Sequence, residues 1–387
     1  MRVILAPDKF AGTLSASEAA LAIATGWARR APDDELVTVA MSDGGPGFVE
    51  VVHASLGGGL VALTVPGPYG DPVPATVLRV GDTAYVESAQ AIGLHLHQPA
   101  DRQPERASSF GVGSLVRAAL EGGANRVVVG LGGSATNDGG AGALAALGAK
   151  ALEPEALVDG PRGLARLTSL DLAPAKDLLA GAELVAASDV DNPLLGIRGA
   201  TKTFGPQKGL AEERLVVVDG WLQHLADLTD RKVAAAKGAG AAGGLGFALL
   251  LLGATREPGV ALVAEAVGLA EKLRDADLVV TGEGSFDFSS RSGKVPYGVA
   301  EVAAVTLTPC IALAGRVLVG SREMRALGIE SAYSMVDLVG EERALHEPGA
   351  ALADLSERVA RTWSRRNNRG CATIRTVVRR TADEHLE

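Results

Sequence analysis

Short apolar runs alternate with alanine-rich amphipathic stretches along most of the chain. Arg2–Ala6 runs apolar up to Pro7-Asp8 and predicts a strand. Ser15-Ala-Ser-Glu18 then forms a capping-box pattern ahead of Ala19, Ala20, Leu21 and Ile23, which predicts a helix. Glu35–Met41 reads as a second strand, and Ser42-Asp-Gly-Gly-Pro-Gly47 as a loop feeding a helix from about Phe48 to Ser55. The order βαβα favours a parallel sheet with ligands at the carboxyl ends of its strands, where Asp8 and Asp43 both fall. Val65–Pro74 holds four prolines and two glycines and gives the strongest linker signal, so a domain crossing is expected there.

Beyond it, Ala75–Val80, Arg126–Leu131, Glu183–Ala187 and Asp277–Thr281 are further strand candidates with alanine-rich helices between them, which predicts a second α/β domain. Gly293–Ala304 as helix, Pro309–Leu313 as strand and Ser321–Leu327 as helix repeat the opening in style and are expected to return to the first sheet. The expected division is residues 1–66 with 290–364, an inserted unit over 67–289, and a basic disordered tail over 365–387.

Composition narrows the function classes. Hydrophobic residues make up 47% and charged residues 21% of the 387, so a substantial core is available and global disorder is excluded. The net charge is −9, and no cluster of Lys and Arg interleaves with aromatics, which argues against nucleic acid. Two cysteines build no disulfide framework or metal motif, and Asp8 and Lys9 come too early for a signal peptide, so a cytoplasmic enzyme is expected. The uncharged runs Val51–Gly70 and Gly238–Thr255 are broken by prolines and glycines, so no membrane span is expected. Glycine is the unusual residue, 49 of the 387, about 13% against a background near 7%. Its clusters follow the apolar runs, as expected where strands end in loops that approach a ligand.

Four clusters carry candidate chemistry. Gly132-Gly-Ser-Ala-Thr-Asn-Asp-Gly-Gly-Ala-Gly142 follows a strand and opens a helix at Ala143–Leu147, the setting of a phosphate-binding loop; a tight turn packed by small residues is the alternative. Asp189 and Asp191 end the next strand two residues apart, able on an extended backbone to share a face, unless Asp-Asn192-Pro is only a turn. Phe204-Gly-Pro-Gln-Lys-Gly209 adds Lys208. Thr281-Gly-Glu-Gly-Ser-Phe-Asp287 with Lys294 places two acids and a base at one strand end, suited to a metal–phosphate site. Gly238, Gly240 and Gly243 spell G-x-G-x-x-G, so an NAD-dependent dehydrogenase is an alternative, weakened because Val233–Ala236 is a poor strand. The Walker pattern and a Gly-x-Ser-x-Gly elbow are both absent, and His95-Leu-His97 reads as strand filler rather than a zinc site.

Taken together, Ala6-Pro-Asp8 with Gly12–Ser15, Ser42–Gly45, Gly130–Gly142, Ser188–Leu194, Phe204–Gly209, Gly238–Gly246 and Thr281–Lys294 resemble the type-1 glycerate kinase family in order and spacing over about residues 1–360. The resemblance implies two unlike α/β domains, one flavodoxin-like and built from both chain ends, the other inserted. It also implies ATP- and Mg²⁺-dependent phosphorylation of D-glycerate, with 2-phosphoglycerate favoured over 3-phosphoglycerate.

Phosphoryl transfer demands positioning and charge neutralisation. On that demand Asp189 is expected as catalytic base, Lys208 and Lys294 as charge-offsetting catalytic groups, and Gly132, Gly133, Ser134 and Gly240 against phosphates. Asp8, Lys9, Asp43, Asn137 and Asn192 are expected at the substrate, and Asp138 and Glu283 at Mg²⁺. The family usually carries lysine at the position of Ala11, glutamate at that of Pro46, and Gln-Thr or Gln-Ser at Ser289-Ser290. Those departures motivate a second reading, a catalytically weak or silent relative that binds a small hydroxy acid or nucleotide.

Overall fold

The computed structural model describes residues 1–10, 12–287 and 294–364. Ala11, Ser289-Ser290, Cys371 and the expected tail lie outside them.

Among the described residues eleven strands form two sheets: β1 Arg2–Pro7, β2 Glu35–Thr38, β3 Gly59–Pro66, β4 Pro72–Val80, β5 Thr83–Glu87, β6 Arg126–Gly130, β7 Glu183–Ala187, β8 Thr255–Glu257, β9 Leu278–Phe286, β10 Cys310–Val317 and β11 Ser331–Ser334. The first sheet runs β2-β1-β9-β10-β11, parallel at every pairing. Counted within that sheet the order is 2-1-3-4-5, the doubly wound, flavodoxin-like order. The second runs β3-β4-β5-β6-β7-β8, antiparallel at its first two pairings and parallel at the rest.

Sheet membership departs from the expected division at both ends. The proline-rich segment is no linker: Val65 pairs with Val73 and Pro66 with Pro72, so it is the turn of a hairpin inside the second sheet, and β3 belongs there. Proline is tolerated because Pro66 lies on the edge strand β3, while Pro72 and Pro74 lie on the part of β4 that pairs with β3 alone, β4 meeting β5 only over Val77–Val80. Conversely β9, expected in the inserted unit, pairs with β1 and β10 in the first sheet. The last third does return to the first sheet.

Side-chain alternation explains the layers. Val3 and Leu5 of β1 pack with Ile23, Trp27 and Leu352 on one face, beneath the helices Ala16–Arg30 and Pro348–Trp363. Ile4 and Ala6 face the other way, into a core that holds Phe48, Val263 and Val299 together with Val128 and Val185 of the second sheet. The helices Phe48–Leu56 and Gly259–Ala266 contribute to that core, so one apolar mass joins both sheets. The capping box at Ser15 forms as read: Ser15 N donates to Glu18 at 2.8 Å and Glu18 N to Ser15 Oγ at 3.2 Å. His95 lies in a 3₁₀ turn over Leu94–Leu96, not in a strand. No helix among the described residues is long and apolar enough to cross a membrane.

Candidate active site

At the carboxyl ends of β1, β9 and β10 the first sheet opens into a cleft of about 440 Å³. Its charged end holds Asp8, Lys9, Asp43, Glu283 and Lys294. β1 and β9 are the neighbours at which the strand order reverses, the position where open α/β sheets bind ligands. Lys9 Nζ stands 3.4 Å from Asp8 Oδ1 and 3.3 Å from Asp43 Oδ1. Burial pushes the Asp8 carboxyl up to about 7, with Lys9 pulling the other way. Burial also opposes the Lys9 ammonium, but Asp43 and Asp8 more than offset it and hold its pKa above the ordinary lysine value. The Asp43 carboxylate is disfavoured by burial yet held below its usual range by Lys9 and by the Gly45 N–H at 3.0 Å. Across the cleft Lys294 Nζ is 3.5 Å from both Glu283 and Asp287.

Asp189, after β7 of the second sheet, does not line the cleft but approaches Asp43 from the other side. Its Oδ2 accepts from Val260 N at 3.1 Å, at the start of the helix Gly259–Ala266. Gly259 is wedged between the two aspartates: a Cβ there would lie 2.2 Å from the Asp43 carbonyl oxygen and 3.1 Å from Asp189 Oδ2, so no other residue fits. Burial pushes Asp189 up to about 7, opposed by the Val260 N–H and reinforced by the Asp43 charge. Asp191 parts from it. It is exposed and pairs with Lys237 at 3.1 Å and Arg256 at 2.7 Å, so the shared face expected from the spacing does not form.

The remaining expected site residues gather within the second sheet's loops and do not line the cleft. The glycines there make close chain-to-chain contacts. A Cβ on Gly132 would meet Gly45 Cα at 2.7 Å, one on Gly133 would meet Pro46 Cγ at 2.9 Å, and one on Gly240 would meet the Pro193 carbonyl oxygen at 2.3 Å. Packing is thus a sufficient reason for glycine at all three. Ser134 Oγ accepts from Lys208 Nζ at 3.2 Å, and Lys208 also donates to the Thr136 carbonyl at 2.6 Å. Burial at 3% exposure lowers the Lys208 ammonium to about 7, against the pull of Asp138.

Asp138 holds the loop around it. Its Oδ2 accepts from Ser109 N and Oγ, both at 2.8 Å, and from Gly142 N at 3.2 Å, while Oδ1 accepts from Gly140 N at 3.1 Å. Asn137 Nδ2 donates to Thr201 Oγ1 at 3.0 Å, and its buried Oδ1 has no partner. Asn192 Nδ2 donates to the Arg198 carbonyl at 2.7 Å and so holds its own turn. The G-x-G-x-x-G letters follow the short helix Arg231–Ala234 rather than a strand, which removes the dinucleotide context.

Sequence reasoning missed Arg316, Glu341 and Glu87. Arg316 and Glu341 form an ion pair and line the cleft. Their positions carry no local motif; the extension of β10 to Val317 was the available signal. Among the described residues no group of three or more His, Cys, Asp or Glu is arranged to hold a metal. The oxygen donors facing the cleft, Asp8, Asp43 and Glu283, are nevertheless of the kind Mg²⁺ takes alongside substrate phosphates and water.

Comparison with known proteins agrees with this architecture. The profile of the Glycerate kinase family matches residues 3–364. The glycerate kinase of Bacillus subtilis (strain 168) is 41% identical over 345 residues, 87% of this chain and 90% of that protein. The glycerate 2-kinase of Escherichia coli (strain K12) is 40% identical, covering 88% and 92%. A crystal structure from Salmonella typhimurium LT2, assigned as glycerate kinase 2, superposes with a TM-score of 0.76 at 38% identity over 94% of this chain and 98% of that one. With that coverage, this chain is a kinase and belongs to the glycerate kinase family.

Proposed function

We propose that this chain transfers the γ-phosphoryl group of ATP to D-glycerate, with the 2-hydroxyl as the favoured acceptor. The observation that carries the reading is the meeting of Asp189 with Asp43 across Gly259, beside a cleft with paired acids and lysines. A carboxyl with a pKa near 7 is half ionised at neutral pH and can accept the hydroxyl proton as the oxygen attacks. In the notation of the reaction, the acceptor oxygen bonds to the γ-phosphorus, the bond to the β,γ-bridging oxygen breaks, and the proton passes to Asp189.

The other residues position and neutralise. Lys9 suits the glycerate carboxylate, since Asp8 and Asp43 keep it charged. Lys294 offsets phosphate charge and would exchange its contacts with Glu283 and Asp287 for the nucleotide. Lys208, Asn137, Asp138, Asn192 and the loop glycines keep the second sheet's loops in the shape that presents Asp189. Glu283 and Asp43 are the side chains that would hold Mg²⁺. When bound, Mg²⁺ would neutralise charge on the transferring phosphoryl group.

The test is to incubate the purified chain with Mg-ATP and D-glycerate and identify the product by phosphorus NMR. 2-Phosphoglycerate is expected; 3-phosphoglycerate would reassign the acceptor hydroxyl. Nucleotide or glycerate binding without turnover would support the silent reading instead.

A further inference from the structure

The cleft is larger and more apolar than a three-carbon acid requires. At about 440 Å³ it falls within the range of pockets for drug-sized ligands. Beyond the charged end its wall is built from Phe10, Met335, Val336, Ala344 and Leu345. Leu345 keeps 57% of its surface exposed, although it lies on a short helix, Glu341–His346, whose Ala344 is buried in the core. Glycerate, with an oxygen on every carbon, has nothing to place against such a wall.

From these observations, and resting on the reading above that the donor is a nucleoside triphosphate, we infer that this wall receives the nucleotide's base. The polyphosphate then runs toward Lys294, with Lys9 left to the glycerate carboxylate. Three arguments converge. The cleft opens at the reversal of strand order between β1 and β9, the position at which 2-1-3-4-5 sheets hold mononucleotides. A flat aromatic base gains by covering exposed methyl and methylene groups, while the cations stand at the opposite end of the same space. Finally, the glycine-rich loop, the rival phosphate site, spends Gly132 and Gly133 on packing against Gly45 and Pro46, and its lysine, Lys208, is turned inward onto Ser134 and Thr136. Arg316 stands on the rim in its pair with Glu341 and adds a cation that the polyphosphate can compete for. The nucleotide thus lies along the apolar wall and Lys294, and the acceptor sits between Lys9 and Asp189.

The test compares ADP with pyrophosphate, which carries the same charge-bearing groups and no base. Calorimetric titration of the full chain in Mg²⁺ is expected to give tighter binding of ADP. Leu345→Asn adds no charge and sits at an exposed position, so the fold should hold. It is expected to weaken ADP at least fivefold, to leave pyrophosphate within twofold, and to leave the KM for glycerate unchanged. Val305→Asn, at an apolar position 84% exposed and away from the cleft, is the control and should change none of these. Wild-type ADP affinity in Leu345→Asn, in a chain that still makes phosphoglycerate, would overturn the base site and leave the function standing. A wild-type chain that neither binds ADP nor turns over glycerate would overturn both.

Discussion

Glu87, the last residue of β5 in the second sheet, accepts a hydrogen bond at 3.2 Å from the backbone N–H of Val49 in the first turn of the helix Phe48–Leu56. That helix starts at Gly47, which offers no side-chain cap, so an acid from another sheet takes the place of one. The bond fixes the loop that carries Asp43, Gly44 and Gly45.

Burial raises the Glu87 pKa, so the folded protein holds this proton more tightly than the unfolded chain. Its contribution to stability is therefore greatest at acid pH and declines as pH rises from the ordinary glutamate range through the raised value. Glu87→Gln keeps an acceptor oxygen and should remove this part of the slope in urea unfolding followed against pH. Glu87→Ala leaves the Val49 N–H without its partner and should cost about 1–3 kcal/mol. A wild-type slope in the Gln variant would show that Glu87 does not titrate in this range.

Asp189→Asn is nearly isosteric and cannot accept a proton, so turnover should fall by about 10²–10⁴-fold with the melting temperature retained. Because the Asp189 pKa is pushed up to about 7, wild-type kcat should rise as pH increases through neutrality. The variant's residual rate should lose that limb. A variant with wild-type turnover would put the base elsewhere.

Lys208 gives the opposite sign. Its pKa is lowered to about 7, so between there and the ordinary lysine range near 10.5 the unfolded chain binds more protons than the folded one. Stability from this group rises with pH across that window. Lys208→Met should flatten the rise in the urea midpoint between about pH 7 and 10, measured against wild type. An unchanged curve would mean the ammonium is better solvated than its burial indicates.

Pro46 packs on Gly133, and it lines a second hollow, of about 320 Å³, with Lys9 and Glu50. Glu50 stands one helical turn beyond the position where the family usually has glutamate. If Glu50 has taken over that role, Glu50→Gln should lower kcat/KM for glycerate by about 10- to 100-fold, the worth of one charge-assisted hydrogen bond. Pro46→Glu in the Gln background should then restore part of it. Activity indifferent to both changes would show that neither position reads the substrate.

The alternation of apolar runs was enough to find Glu183–Ala187 as a strand and to place Asp8 and Asp43 at strand ends, because burial and backbone period act locally. Sheet membership was not legible. Proline at Pro66 and Pro72 looks the same in a linker and in an edge hairpin, and only pairing distinguishes them. Acids and lysines after apolar runs picked out Asp8, Lys9, Asp43, Glu283 and Lys294, which share one cleft, but not Arg316 and Glu341 on the same cleft, whose positions carry no motif. The role of the glycine loop is not separable in sequence, for a physical reason: a glycine needed to admit phosphate and one needed to admit Gly45 or Pro46 have the same letter. Asp138 is ambiguous likewise, since a carboxylate that collects N–H groups and one that collects a cation are equally acidic in sequence.

The apolar mass common to both sheets bears on how the enzyme can move. Opening the molecule like a book would expose Phe48, Val128, Val185 and Val263 to water together, since all belong to one dry cluster. A hinge of that kind would cost on the scale of unfolding, so substrates must come and go through small displacements at the cleft rim, where Arg316, Glu341 and Leu345 are exposed. Each sheet also keeps a core of its own, around Leu5, Trp27 and Leu352 in the first and around Val127, Leu144 and Leu245 in the second, so it is the shared mass between them that couples the melting of one to the melting of the other.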